Sequence, residues 1–116
     1  FSDIEKIMTQ SNSLEVLRES ADEATTLIKV LANADRLLLL CHMSQGELPV
    51  GELEALTEIK QPTLSQQLTV LRENQVVETR REGKNIYYRV TSKPVIAIIN
   101  VLAEQFCKKA QFKEIR

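Results

Sequence analysis

The sequence predicts a mainly α-helical fold with a small β-hairpin, in the order α-α-α-α-β-β-α, within one domain over residues 1–116. Three observations predict it. Apolar residues recur at helical spacing from residue 13 to residue 74. Residues 76–90 are rich in β-branched and aromatic side chains and are interrupted by a glycine, as in a hairpin. A further helical pattern covers residues 92–110.

The composition is that of an ordinary soluble protein, with 43% hydrophobic and 27% charged residues. No apolar run reaches the roughly 18 residues of a membrane span, and no signal peptide is evident, so we expect a cytoplasmic protein with no membrane partner. The charge is polarised: residues 1–59 hold 4 Lys/Arg and 11 Asp/Glu (−7), residues 60–90 hold 6 and 3 (+3), and residues 91–116 hold 5 and 2 (+3). A basic module on an acidic body can still bind phosphates.

The N-terminal segment predicts a short element and then a long helix. Ser2 and Glu5 have the spacing of a capping box, so residues 1–12 are expected to form a short helix or an arm. Apolar residues keep helical spacing from about Ser13 to Leu31, which predicts the long helix.

The next helix, RLLLLCHMS, is predicted to be central in the fold and to end before Gly46. Asn33 or Asp35 is suited to cap its N-terminus. Leu37 to Leu40 are consecutive, so no polar side of the helix faces outward.

Residues 50–74 predict two helices joined by a tight connection. Val50 to Glu58 has apolar residues at helical spacing, and only IKQP separates it from the next helical pattern. Pro62 suits the first turn of a helix and disfavours helix at Gln61. Such a pair forms a helix-turn-helix, whose second helix enters a DNA groove.

The second helix of this pair has an apolar side and a polar side. Leu64, Leu68 and Leu71 form a narrow seam that must face a core. The opposite side and its flanks carry short amide and hydroxyl groups with little charge: Thr63, Ser65, Gln66, Thr69, Val70 and Arg72. Such groups pair with base edges in a major groove, and the alternative is a merely polar exposed face.

The segment from Val76 to Val90 predicts a β-hairpin with its turn near Gly83. Basic residues crowd its tip, where contacts with DNA phosphates are made. Helix, turn, helix and basic hairpin in this order indicate a winged helix-turn-helix. The predicted DNA-binding residues are Gln61, Thr63, Ser65, Gln66, Thr69, Arg72, Arg80, Arg81 and Lys84.

The last helix is predicted over residues 92–110, after the start signal of Thr91, Ser92 and Pro94. Its apolar residues wrap most of its circumference, which favours a homodimer formed with the first long helix. A twofold axis then sets two reading helices about one turn of DNA apart, over a pseudo-palindromic operator. The alternative is a wholly buried terminal helix.

The sequence contains no enzymatic constellation. Its one histidine, His42, lies in the leucine-rich helix, and its three glycines do not gather into a phosphate loop. Two cysteines and one histidine lack the spacing of a closed zinc site. We predict no enzyme activity, no cofactor and no metal site. A winged helix used only for protein contacts is the alternative to DNA binding.

The two cysteines are candidates for redox chemistry. Cys41 lies in the leucine-rich helix, and Cys107 is followed by Lys108 and Lys109. Cationic neighbours favour the thiolate, which is the reactive form. The alternative is that both cysteines are inert and buried, since cysteine also packs as a small hydrophobe.

Nearly the whole chain resembles the ArsR/SmtB repressors. The resemblance is carried by ANADRLLLL, by the stretch from Gly46 to Val90 and by the closing amphipathic helix. It implies a dimeric winged-helix repressor that leaves its operator when an inducer is sensed. Family members that sense metals through thiolates carry cysteines where this chain has Pro49 and Gly51, and the last helix lacks the histidines and carboxylates of another metal-sensing group.

Cys41 and Cys107 match the sulfide-responsive branch, which includes the biofilm growth-associated repressors. The resemblance implies that reactive sulfur species, persulfides especially, join the pair through a disulfide or a longer sulfur chain. A direct disulfide needs Cα atoms roughly 4.4–6.8 Å apart, and inserted sulfurs permit a wider gap. The alternative is a metal-responsive repressor that uses Cys41, His42 and carboxylates.

The chain departs from the family pattern at Gln75, where a glycine is common. We expect Asn74, which tolerates a left-handed backbone, to close the preceding helix instead.

Overall fold

The computed structural model describes residues 14–107, and within them it confirms the predicted order of helices and hairpin strands and adds one short strand. The elements are α1 (Leu14–Leu31), α2 (Ala34–Met43), β1 (Leu48–Pro49), α3 (Val50–Thr57), α4 (Thr63–Glu73), β2 (Val77–Glu82), β3 (Asn85–Val90) and α5 (Lys93–Leu102), followed by a π-helical turn (Ala103–Cys107). The expected N-terminal element at 1–12 and the expected helix end at 110 lie outside the described residues.

The core is built mainly from leucines of α2, α3 and α4. Its fully buried side chains include Leu39, Leu40, Leu53, Leu64, Leu68 and Leu71, with Val95 and Ile99 of α5. The central position predicted for α2 is confirmed. One of its four consecutive leucines is an exception: Leu38 is 41% exposed, because a straight helix cannot turn four adjacent side chains to the same core.

Helix boundaries follow local capping signals. The side-chain oxygen of Asn33 accepts a hydrogen bond from the backbone N–H of Arg36 at 3.0 Å, so Asn33, rather than Asp35, caps α2. At the last helix the hydroxyl of Ser92 accepts from the backbone N–H of Val95 at 3.4 Å, and Pro94 lies in the first turn as predicted.

The hairpin is part of a three-stranded antiparallel sheet in the order β1-β3-β2. β2 and β3 are joined by a two-residue turn in which Gly83 has a φ of 64°, as expected for a tight hairpin turn. The sequence did not predict β1, because a two-residue strand ending in a proline carries no periodicity. β1 pairs Leu48 with Tyr88 and thereby attaches the hairpin to the start of α3.

The end of α4 corrects the expectation for Asn74. Asn74 has a φ of −92°, whereas Gln75 takes the left-handed conformation with a φ of 61°. The N–H of Val76 donates to the carbonyl of Leu71, and the N–H of Gln75 donates to the carbonyl of Arg72, both at 3.0 Å. This is a Schellman motif, in which the residue after the C-cap is left-handed. Asn74 is the C-cap residue, which lies one position before the left-handed residue Gln75.

We expect Gln75→Gly to raise the free energy of unfolding by roughly 0.5–1 kcal/mol, because glycine adopts a positive φ without a Cβ clash. Asn74→Gly is the matched control. It relieves no left-handed residue and loses the bond from the Asn74 amide to the carbonyl of Val70 at 2.8 Å, so it should lower stability. Urea unfolding measures both variants, and a destabilised Gln75→Gly would contradict the assignment.

Two helices leave apolar surface uncovered in the single chain. In α1 the buried residues are Val30 and Leu31 at its end, while Leu14 is 81% exposed and Ile28 is 56% exposed. Val101 of α5 and Phe106 in the following turn are also exposed. Within residues 14–107 no helix combines the length and apolar character of a membrane span.

Candidate nucleic-acid interface and cysteine site

The outer side of α4 is exposed, as its pattern predicts. Leu64, Leu68 and Leu71 are buried on the inner side. Of the residues predicted to contact DNA on or beside this helix, Gln61, Ser65, Gln66, Thr69 and Arg72 are exposed and Thr63 is half-buried. The helix therefore presents a band of amide and hydroxyl groups to the surroundings.

Gln61, which was predicted to contact DNA, also forms hydrogen bonds that hold the start of α4. Its side-chain oxygen accepts hydrogen bonds from the backbone N–H of Ser65 at 3.1 Å and from the Ser65 hydroxyl at 2.7 Å. Pro62 was expected in the first turn of α4, but the helix begins at Thr63 and Pro62 is the residue before it, with no side-chain cap. Gln61 supplies the missing acceptor at this helix end, and the Ser65 hydroxyl retains its acceptor lone pairs.

The three basic residues predicted at the hairpin tip differ in their surroundings. Arg81 and Lys84 are exposed, and neither forms an ion pair within the described part of the chain. Arg80 donates to Glu47 at 2.8 Å and to Glu82 at 2.6 Å, and its guanidinium lies 4.4 Å from the ring centre of Tyr87. The positive charge of Arg80 is therefore shared with two carboxylates.

This pairing alters both titrations in the expected directions. The hydrogen bond from Arg80 holds the pKa of Glu47 below its ordinary value of 4.5, and the two carboxylates raise the pKa of Arg80. Because the folded-state pKa of Glu47 is depressed, the ion pair contributes stability above pH 4.5 and loses it as the pH falls through the lowered value.

Glu47 was missed in the sequence because its role depends on the strand order. Arg80 of β2 and Pro49 of β1 both pair with Tyr87 of β3, from opposite sides. This arrangement brings Glu47, two residues before Pro49, next to Arg80, which is 33 residues away along the chain. A lone glutamate before a short strand carries no sequence signal of this kind.

A second missed group links three helices. The guanidinium of Arg36, on α2, donates to the carbonyls of Lys29 and Val30 at the end of α1, and to the side-chain oxygen of Gln67 on α4 at 2.7 Å. A signal for Gln67 was present, since it lies three residues after Leu64 and four before Leu71, at the edge of the apolar seam. A polar residue at that position indicates a polar partner on the facing helix.

Cys41 lies on α2, half-buried against the core. Its carbonyl accepts from the backbone N–H and the hydroxyl of Ser44, at 3.3 and 2.7 Å. α2 packs against α5, and the backbone of Cys107 ends the turn that follows α5. The side chain of Cys107 lies outside the described residues. Within those residues no three His, Cys, Asp or Glu side chains are grouped so as to hold a metal ion.

Comparison with known proteins identifies the family. The bacterial regulatory protein arsR family matches residues 33–79, from the cap of α2 into β2. The biofilm growth-associated repressor of Agrobacterium fabrum is 49% identical over 94 residues, which cover 81% of this chain and 80% of that protein. The chain belongs to the arsR family. Members of this family are DNA-binding transcriptional regulators and not enzymes.

Solved structures of similar proteins share the arsR-family fold seen here. The crystal structure of the transcriptional repressor BigR from Xylella fastidiosa is 45% identical, with a TM-score of 0.76 over 84% of this chain and 96% of that one. A solution structure from Mycobacterium bovis, described as a homodimeric winged helix-turn-helix DNA-binding domain, is 30% identical with a TM-score of 0.65, over 84% of this chain and 90% of that one. The arsR match contains both Arg36 and Gln67.

Proposed function

We propose that this arsR-family protein is a homodimeric transcriptional repressor that binds a pseudo-palindromic operator and releases it when reactive sulfur species link Cys41 to Cys107. The observation that carries the DNA-binding part is the two-sided character of α4. Its leucines are buried and its amide and hydroxyl groups are exposed. The adjoining hairpin presents Arg81 and Lys84, which are exposed and form no ion pair among residues 14–107. This combination suits a recognition helix in a major groove with a wing on the phosphate backbone.

The roles of the interface residues follow from their surroundings. Gln66 and Thr69 are exposed on the outer side of α4 and are proposed to contact bases, with Ser65 and Thr63 beside them. Arg72, Arg81 and Lys84 are proposed to contact phosphates. Gln61 acts through its bonds to Ser65, and Arg80 holds the wing through Glu47 in the DNA-free protein.

The uncovered apolar residues of α1 and α5 support the dimer. Leu14, Ile28, Val101 and Phe106 are each more than half exposed in the single chain. Large exposed apolar side chains on two helices favour contact with a partner chain. A second copy contributes the second recognition helix that a pseudo-palindrome requires.

The packing of α2 against α5 supports the sulfur switch, since these elements carry Cys41 and lead to Cys107. In the proposed chemistry one thiolate attacks a polysulfide, forms a persulfide and releases a shortened polysulfide. The second thiolate attacks the inner sulfur of that persulfide and expels hydrosulfide, which leaves a disulfide. If the first thiol carries a longer sulfur chain, the second thiolate attacks the sulfur next to the terminal one and expels hydrosulfide, which leaves a polysulfide link. The two electrons given up by the thiols reduce one sulfur–sulfur bond of the reagent.

Intact-mass measurement and a DNA-binding assay on the same polysulfide-treated sample test this switch. The wild-type chain is expected to lose two hydrogens, or to gain sulfur atoms in the link, and to bind its operator roughly 5- to 150-fold more weakly. The variants Cys107→Ser and Cys41→Ser should bind DNA with normal affinity when reduced. Their DNA affinity should not fall after polysulfide treatment. Normal release by Cys107→Ser would reject the switch while leaving the DNA-binding proposal intact. Zinc added to the reduced protein is expected to leave DNA affinity unchanged.

Glu47→Gln is expected to increase duplex affinity equally for operator and random DNA, because it leaves Glu82 as the one carboxylate paired with Arg80 in the described part of the chain and so makes more of the Arg80 charge available to a phosphate. The slope of log affinity against log salt concentration should steepen by about one, which corresponds to the release of one more counterion. Glu52→Gln, which removes an exposed carboxylate of α3, is the matched control for the change in net charge. Equal effects of the two variants would show that Arg80 is not released by the loss of Glu47.

A further inference from the structure

We propose that Arg36 is a positioning residue that sets the orientation of α4 relative to α1. Because α1 is proposed to lie at the dimer contact, Arg36 would also set the spacing of the two recognition helices. The proposal rests on the DNA-binding function proposed above. It concerns a residue that lies outside the DNA-contacting side of α4 and outside the cysteine pair.

The first step of the argument is the attachment of Arg36 to α1. Its Nε donates to the carbonyl of Val30, and its Nη2 donates to the carbonyl of Lys29 at 3.3 Å. These carbonyls are in the last turn of α1, where the helix dipole is negative. The Lys29 carbonyl also accepts from the backbone N–H of Ala32 at 3.3 Å, so Arg36 adds to the local turn there. The guanidinium therefore caps α1 with both hydrogen bonds and charge. The backbone N–H of Arg36 is itself held by Asn33 at 3.0 Å, so the turn between α1 and α2 is tightly defined.

The second step is the attachment of the same guanidinium to α4. Its Nη1 donates to the side-chain oxygen of Gln67 at 2.7 Å. A guanidinium is planar and its donors have fixed directions, so a displacement of the end of α1 is transmitted to Gln67. The buried leucines of α4 determine which side of the helix faces the core, and the directional hydrogen bond to Gln67 sets the finer rotation about the helix axis. Gln67 adjoins Gln66, so rotation at Gln67 redirects the proposed base-contacting side chains.

The third step is the consequence in a dimer. α1 carries exposed apolar surface and is proposed to lie at the twofold contact, whereas α4 is proposed to lie in the DNA groove. The Arg36 link then fixes the recognition helices relative to the twofold axis. Without it each half can still bind a half-site, but the separation of the two halves is less well defined.

Two nearly isosteric variants of Gln67 test this link. Gln67→Leu removes the acceptor, and Gln67→Glu keeps an acceptor and adds a charge that pairs with Arg36. On an operator selected with the wild-type protein, Gln67→Leu should bind about tenfold more weakly relative to random duplex. It should also discriminate less against operators whose half-sites are moved by one base pair. Gln67→Glu should retain wild-type discrimination.

The opposite ranking would overturn the proposal. If Gln67 contacts DNA directly, the negative charge of Gln67→Glu would make it the weaker binder of the two. Arg36→Lys keeps the positive charge but lacks the planar fork, so it should lose spacing discrimination as Gln67→Leu does. Wild-type discrimination in both Arg36→Lys and Gln67→Leu would also refute the link.

A measurement without DNA separates this inference from the proposed function. Residual dipolar couplings of the backbone amides of α1 and α4 report the relative orientation of the two helices in the reduced protein. In Gln67→Leu the couplings of each helix should still fit a regular helix, but the angle between α1 and α4 that they give should differ from that of the wild type. Gln67→Glu should give the wild-type angle. Failure of the wild-type protein to bind duplex DNA in a salt-dependent way would refute the proposed function, and the couplings would still decide the link. Unchanged couplings in Gln67→Leu would refute the link.

Discussion

Leu68→Ala is expected to lower the free energy of unfolding by roughly 2–5 kcal/mol, because truncation of a buried leucine loses its transfer free energy and leaves a cavity. Leu68 is 1% exposed on the inner side of α4, which packs against α2. The loss is a large fraction of the 5–15 kcal/mol typical of a domain. α4 should therefore lose its fixed position, and DNA affinity should fall with stability.

Leu56→Ala is the matched control for this prediction. Leu56 lies on the neighbouring helix α3 but is 49% exposed, so the same truncation should change stability by no more than about 0.5 kcal/mol. Urea unfolding at constant protein concentration measures both variants and keeps any dimer contribution comparable. Similar losses for the two leucines would show that the seam of α4 is not the main attachment of this helix.

Gln66→Ala is expected to reduce the preference for operator over random DNA by roughly 5- to 150-fold, the range of about 1–3 kcal/mol for a bidentate contact with a base. The stability of the fold should not change, because Gln66 is exposed on the outer side of α4. Titration of operator and random duplexes at several salt concentrations measures this preference directly.

Arg81→Ala is the complementary variant in the same experiment. It removes an exposed wing cation, so operator and random DNA should be bound more weakly by similar factors, and the salt slope should fall by about one. If Gln66→Ala weakened both duplexes equally, or if Arg81→Ala changed only the preference, the proposed division between base and phosphate contacts would be wrong.

Local features of the fold were predictable because their causes lie within a few residues. The cap at Asn33, the start of α5 at Ser92 and the turn at Gly83 all depend on side chains next to the backbone groups that they affect. The apolar seam of α4 was predictable for the same reason, since helical periodicity identifies which side faces a core. The exposed positions of Gln66 and Arg81 followed from these patterns.

Other features needed the chain to be folded before they could be recognised. The left-handed residue after α4 is Gln75 because the Schellman hydrogen bonds end on Leu71 and Arg72, and an asparagine at the preceding position does not determine that register. The pairing of Glu47 with Arg80 depends on β1 and β2 flanking the same strand. The first of these features is a choice between two adjacent residues, and the second joins residues 33 positions apart along the chain.

The sequence by itself determined the order of the helices and of the two hairpin strands, the buried side of α4 and the family, because periodicity, capping and motif spacing are properties of short segments. Only the tertiary structure decided which cations are available for DNA phosphates and how α4 is attached to the end of α1. Arg80 is paired with Glu47. Arg36 binds the end of α1 and also Gln67, which lies 31 residues after Arg36 along the chain. The physical reason is that a hydrogen bond depends on the distance and direction between two groups, which are set by packing and not by their separation in sequence.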